Sequence, residues 1–317
     1  MTRPTRTRPT RTRPTRTRNP ESGVVLFNVL VIVAFMSLVV MAMVSMGDLA
    51  IARSQRFSEA GQAVLFVTAG EQTAIAALQQ DLTDAPDTDH LKEPWAVIAQ
   101  ERIEIEGGFF ALEITDAQGF YNLTNLRPAA DFGAAPPDSR LLATLVASLD
   151  LNADLTSRIA HRMTQDPPIT ALSDLTAEQV ISAAEAEALS AVVTVLPLPT
   201  AINLNTAPLP VLTALTGNPP QARLLEGIRS RKGQLTPADI SAARLLPDAR
   251  SGFTSAFFRV TVAVMVGQTE QVFSSLIYRD AKARDGLPLR IVARLRATIP
   301  FPALVVQKDE TLAAAPP

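Results

Sequence analysis

No cysteine occurs in the 317 residues, which excludes disulfides, thiol catalysis, iron–sulfur clusters and cysteine-ligated zinc. Only two histidines are present, His90 and His161, too few for a multi-histidine metal site. Charged residues are scarce at 19% while apolar residues reach 47%, so part of the chain is built to avoid water. Proline is absent between Pro20 and Pro86, although the chain holds 24 of them. From Val24 to Met46 there is no charge, no glycine and no proline; Asn28, Ser37 and Ser45 are the only polar residues.

What is present is segregated. Residues 2–16 are three copies of Thr-Arg-Pro-Thr-Arg, and seven arginines fall within the first eighteen residues. Proline and repelling arginines exclude packing there, so residues 1–23 read as a disordered basic leader. The apolar run 24–46 spans about 35 Å as a helix, enough to cross a bilayer core. It is too long for the apolar part of a cleaved secretory signal, and the basic residues precede it. It therefore reads as a transmembrane anchor with a cytoplasmic N-terminus and a body on the far side.

The helix is expected to continue through residues 47–85. Beyond Asp48 it becomes amphipathic, with Phe57, Ala60, Val64, Val67, Ala74 and Leu78 at helical spacing. The surface it lies on is a sheet, assigned to 95–136 and 253–298. Residues 102–106 alternate, Gly107-Gly108 supplies a turn, and Phe110, Leu112 and Ile114 alternate again. Val260, Val262, Val264 and Val266 repeat the pattern, followed by 271–278 and 290–295. Between the two parts, 137–252 reads as an inserted all-helical domain with subdomains 137–200 and 201–252. Its helices are expected at 139–149, 155–163, 177–193, 208–215, 219–230 and 237–243. Asp138, Asp154, Thr176, Thr206, Asn218 and Thr236 are the expected N-caps. Residues 299–317 read as a loose tail. The class is α+β.

Four stretches resemble the minor pseudopilin K (GspK) family of bacterial type II secretion systems. These are Gly23 with the apolar run behind it; Pro94-Trp95-Ala96 with Asp116-x-x-Gly119-x-x-Asn122-Leu-x-Asn125-Leu; Ile202-Asn203-Leu204-Asn205-Thr206-Ala207; and Phe257-Phe258-Arg259-Val260. The resemblance implies a pilin-like fold, prepilin-peptidase cleavage between Gly23 and Val24, and N-methylation of the new terminus. It implies a non-catalytic subunit in the inner membrane, partnered by minor pseudopilins I and J and by other pseudopilus subunits. It places the subunit at the pseudopilus tip, priming assembly for export of folded proteins. Asn28 replaces the glutamate most pilin-like subunits carry there, as is characteristic of K. Asn28, Phe57 and Val64 are the expected partner-binding residues.

Other readings remain. A type IV pilus minor pilin is the nearest alternative. A membrane-tethered DNA-uptake protein is suggested by 202–240, which resembles a helix-hairpin-helix (the block as a whole is SAM-like). Against that, the hairpin Thr216-Gly217-Asn218-Pro219-Pro220 lacks a second amide to offer a phosphate, and residues 138–252 hold eleven acids and nine bases. No nucleic-acid partner is expected. No cofactor is required. Calcium is implied only by the family, whose acidic loop shrinks here to residues 165–170; Asp150, Asp154, Asp166 and Asp174 are the nearest carboxylates, without a compact run of ligands. Asn122, Asn125, Asn203 and Asn205 read as caps and turn closers.

Overall fold

The computed structural model describes residues 21–98, 102–127, 139–243, 250–280, 282–283 and 288–296. The leader, the expected cap Asp138 and the tail lie outside them. Two compact units divide at Ser58/Glu59. Helix α1 runs Glu21–Asp84 without a break, as the missing proline allows.

In the first unit, Val24–Met46 exposes every side chain except the half-exposed Val39. A helix that is apolar all round and buries nothing is suited to lipid, and this one is long and apolar enough to cross a membrane. The Ser37 hydroxyl donates to Val33 O at 2.8 Å, removing one polar group from the helix surface.

In the second unit, α1 buries Ala63, Val67, Ala74 and Leu78 against the sheet. The stripe expected to begin at Phe57 and Val64 is rotated. Phe57 is 83% exposed and Val64 45% exposed, because Val64 stands about 100° around the helix from Ala63. Behind α1 come α2 (Pro94–Val97), β1 (Ile103–Ile105) and β2 (Gly108–Asp116). Strands β3 (Tyr121–Asn122), β4 (Val193–Thr194), β5 (Ile202–Asn203) and β6 (Ser251–Gly252) are short parallel pairings, β3 with β4 and β5 with β6. The long strands β7 (Phe257–Val266), β8 (Thr269–Arg279) and β9 (Leu289–Arg296) close the chain. The main sheet is antiparallel in the order β1-β2-β7-β8-β9. Its register sets Leu112 opposite Val262 and Ile114 opposite Val260, so the alternation seen in the sequence becomes one apolar face under α1.

The helical block holds α3 (Arg140–Ser148), α4 (Asp154–Met163), α5 (Leu172–Ala177), α6 (Ala183–Ser190), α7 (Leu209–Thr216), α8 (Pro219–Lys232) and α9 (Pro237–Ala242) around its own core. Three expectations are corrected. The helix expected over 177–193 is shorter, α6 at Ala183–Ser190, and a separate helix, α5, ends at Ala177. Gln179 has φ +58°, Ser182 and Glu185 form a capping box that starts α6, and Thr176 lies inside α5 instead of capping a helix. The chain leaves α6 as β4, with Val192, Val193 and Val195 buried. Pro208, not Thr206, precedes α7 as its N-cap, and Asp154 is the first residue of α4. Of the sheet segment expected over 95–136, the described part leaves the main sheet at Asp116, and Tyr121, Leu123 and Leu126 pack into the helical core; residues 128–136 lie outside the described residues.

Candidate functional site

The two sequence stretches with the densest asparagines, more than seventy residues apart, meet where the helical block joins the sheet. A 3₁₀ turn, Ala117–Gly119, leads out of β2, and Asp116 caps it by accepting from Gln118 N at 2.8 Å. The other Asp116 oxygen accepts from Asn203 Nδ2 at 2.8 Å, Thr206 Oγ1 at 2.6 Å and Ser255 Oγ at 2.6 Å. Gly119 lies so close to Thr206 that a Cβ there would sit 3.0 Å from both its carbonyl and its hydroxyl oxygen. Asn122 receives the amides of Thr124 and Leu196 and donates to Leu198 O; Asn125 exchanges two bonds with Thr200. Asn205 receives Leu235 N. All four asparagines act on the backbone, Asn122, Asn203 and Asn205 with no exposed surface. Burial pushes the Asp116 carboxyl up, opposed by its hydroxyl and amide donors.

These geometries give the motifs a structural meaning, and the motifs have relatives. No family model matches the chain. It is 28% identical over 314 residues to type II secretion system protein K of Pseudomonas aeruginosa, spanning 86% of this chain and 92% of that protein. The chain is similar to a type II secretion system protein K along nearly its whole length. Type II secretion system protein K of Klebsiella pneumoniae is 29% identical over 131 residues, 41% of this chain and 40% of that one. The fold is similar to a chain in the crystal structure of the GspK-GspI-GspJ complex from enterotoxigenic Escherichia coli. The TM-score is 0.59 at 19% identity, covering 78% of this chain and all of that one.

Within this K-like body the Asp116 cluster continues into a second one, which no sequence pattern announced. Arg279, at the end of β8, is buried. Its Nη1 donates to Asp81 Oδ2 at 2.9 Å and its Nη2 to both Asp89 oxygens at 2.5 Å. Nε and Nη2 also reach Ser255 O, at 3.2 and 2.7 Å, and the guanidinium carbon lies 4.6 Å from the Phe258 ring centroid. Asp89 in turn receives Ser255 N at 2.6 Å, and its carbonyl receives Asn203 Nδ2 at 3.0 Å. Glu93 holds Trp95 Nε1 at 2.6 Å, and Trp95 packs edge-on against Phe258 at 5.2 Å. One fork thus ties the end of α1, the linker before α2 and the entry of β7 to β8. Burial, with Glu93 and Asp89 nearby, pushes Asp81 up to about 7 against the pull of Arg279; burial also raises Glu93. Arg279 could not be singled out because its partners lie about 190 residues away in sequence.

The expected site residues fall apart from this interlock. Val24 and Asn28 are exposed on the apolar helix, and nothing is described of the Gly23 surroundings. Phe57 belongs to the first unit and Val64 to the second; both are exposed. The four carboxylates near residues 165–170 serve separate ends. Asp154 meets Arg158 at 3.4 Å, Asp166 meets Arg127 at 3.3 Å, Asp174 closes the turn at Thr170 and Ala171, and Asp150 sits in a left-handed turn at φ +54°. They offer no shared shell of oxygens and do not fit calcium. Among the described residues, the three acids close enough to share an ion are Asp81, Asp89 and Glu93, and the Arg279 fork already binds two of them.

The hairpin between α7 and α8 has Gly217 in the left-handed region and Asn218 as N-cap. Arg229 on α8 points inward, donating to Leu204 O at 2.9 Å and Ala207 O at 2.7 Å, and Lys232 pairs with Asp239. Of Arg229, Arg231 and Lys232 in the last turn of α8, two are therefore spent on the protein itself. His90 Nδ1 accepts from Lys92 N while Nε2 faces Glu93 at 3.5 Å; His161 Nε2 faces Gln165. Among the described residues neither histidine is recorded against a serine.

Proposed function

We propose that this chain serves as the K-type minor pseudopilin of a type II secretion system: a non-catalytic subunit of the inner membrane that joins minor pseudopilins I and J at the pseudopilus tip and primes assembly for export of folded proteins. One observation carries the reading: the relationship to a K protein runs along nearly the whole chain, and its motif residues weld the helical block to the sheet under α1. A block of that size beside the sheet would obstruct a further subunit from above, which suits an end position over a repeating one. The solved complex of K, I and J supports those partners. The exposed apolar residues of α1 supply contact surface, Phe57 and Val64 among them. Coexpression of the full chain with its I and J counterparts, followed by purification in detergent, tests this. The complex is expected to survive with the wild-type chain and to be lost with Phe57→Asp/Val64→Asp; recovery of the same complex from the variant would move the contact elsewhere.

The processing reading is tested separately. Cleavage between Gly23 and Val24 by prepilin peptidase leaves Val24 as the mature terminus, methylated at its amine. Gly23→Leu is expected to retain the leader in membrane fractions, as read by N-terminal sequencing. A mature terminus within residues 47–60 would instead mark an ordinary secretory signal and overturn the pseudopilin reading.

A further inference from the structure

On the face of the sheet turned away from α1, a cleft runs across the strands beneath the helical block. The register lines up Arg259 on β7, Leu276 on β8 and Ala293 on β9 in one row, so the cleft floor passes from an inner strand to the outer edge. Leu172, Ser190 and Val193 of the helical block form its roof. Strands lie about 4.8 Å apart, which puts Arg259 roughly 10 Å in from the edge, the length of about three extended residues. The walls are apolar with scattered hydroxyls. Among the described residues, Arg259 is the only charged one lining the cleft.

Among the described residues that arginine meets no counter-charge. Its recorded hydrogen bond among the described residues is a long one, Nη2 to Thr194 Oγ1 at 3.4 Å. The residue as a whole is exposed, but partial enclosure of its guanidinium draws its pKa down, with no acid opposing the shift. Glu113 faces the same side of the sheet from β2, opposite Thr261, but no bond joins it to Arg259, and burial raises its carboxyl toward the neutral form. Arg162, Arg279 and Arg294 each meet a carboxylate, and Arg229, which points inward, is held by two backbone carbonyls; Arg259 has neither kind of partner among the described residues. A partly enclosed guanidinium presents a planar fork that suits a carboxylate. A doubly charged phosphate ordinarily draws more than one cation, and here there is a single one. The approach over Leu276, Ala293 and Leu295 is apolar and suits small side chains on an extended backbone that crosses the edge strand β9.

We propose that this cleft is a peptide-binding site, in which an extended segment of a partner protein enters from the β9 edge and sets an aspartate or glutamate carboxylate on Arg259. The site is independent of the surface of α1 and of which subunits the chain assembles with.

The test uses the full chain in detergent micelles with ¹⁵N-labelled arginine. The Arg259 Nε–H resonance is assigned by its loss in Arg259→Lys. The probes are acetyl-Ala-Ala-Asp-Ala-Ala-amide and its Asn counterpart. The Asp peptide is expected to move the resonance saturably, and the Asn peptide to bind about tenfold or more weaker, since one charge-assisted bond becomes neutral. Binding of the Asp peptide, read independently by isothermal titration calorimetry, should be lost in Arg259→Gln while the unfolding midpoint, read by Trp95 fluorescence, stays unchanged. Equal response to both peptides, no response, or equal saturation by inorganic phosphate would each overturn the proposal. A shift of the same resonance on Asp309→Asn/Glu310→Gln, with no peptide added, would also overturn it, by assigning the carboxylate to the chain's own tail.

Discussion

Arg279→Gln is expected to cost about 3–5 kcal/mol of unfolding free energy, because it leaves Asp81 and Asp89 buried without their cation. Trp95 is the only tryptophan, fully buried and stacked on Phe258 beside the fork, so its fluorescence in a urea titration reports the loss directly. Arg279→Lys keeps the charge but cannot span both carboxylates and Ser255 O, and should fall between. Adding Asp81→Asn to Arg279→Gln should recover part of the loss by removing one stranded charge. The cluster also sets a pH dependence. Asp81 is raised from 3.8 to about 7 in the folded chain, so between those values the native state holds a proton that the unfolded chain has released. Its contribution is complete below about pH 4 and is lost as pH rises through 7. Glu93, also raised, acts in the same direction. Asp81→Asn should flatten the fall of the urea midpoint between pH 4 and 7; an unchanged slope would mean that Asp81 is ionised throughout.

Asp116→Asn is expected to destabilise the protein by about 2–4 kcal/mol and to loosen the helical block before the sheet. The carboxylate accepts four donors, three on one oxygen, and an amide can offer one acceptor oxygen only. Whichever way the amide turns, an NH₂ group faces N–H or O–H donors, so at least one of them loses its charged acceptor. Limited proteolysis should cut the variant near 117–120 or 198–201 under conditions in which the wild-type chain stays whole. Thr206→Val removes one donor without creating a clash, and should cost nearer 1 kcal/mol. An Asp116→Asn protein as stable and protease-resistant as the wild type would show that this junction does not hold the block.

The elements legible in the sequence are those whose cause is local or periodic. The helix Glu21–Asp84 follows from an apolar run, a sustained 3.6-residue pattern and the absence of proline. The long strands follow from strict alternation, visible at Val260, Val262 and Val264 because a sheet buried on one face selects every second residue. The break between α5 and α6 was hidden by good helix formers on both sides of it. There a serine–glutamate cap and a left-handed Gln179 outweigh propensity. Phe57 and Val64 fit the helical period as well as Val67 does, so periodicity could not say where the sheet begins to cover α1. The four asparagines were readable as caps because an asparagine acts on its own neighbourhood. Their joining to Asp116, the Arg279 fork and the unpaired Arg259 were not readable. Each depends on which residues of distant strands come to lie side by side, and burial makes such charges costly or useful only after the chain has closed around them.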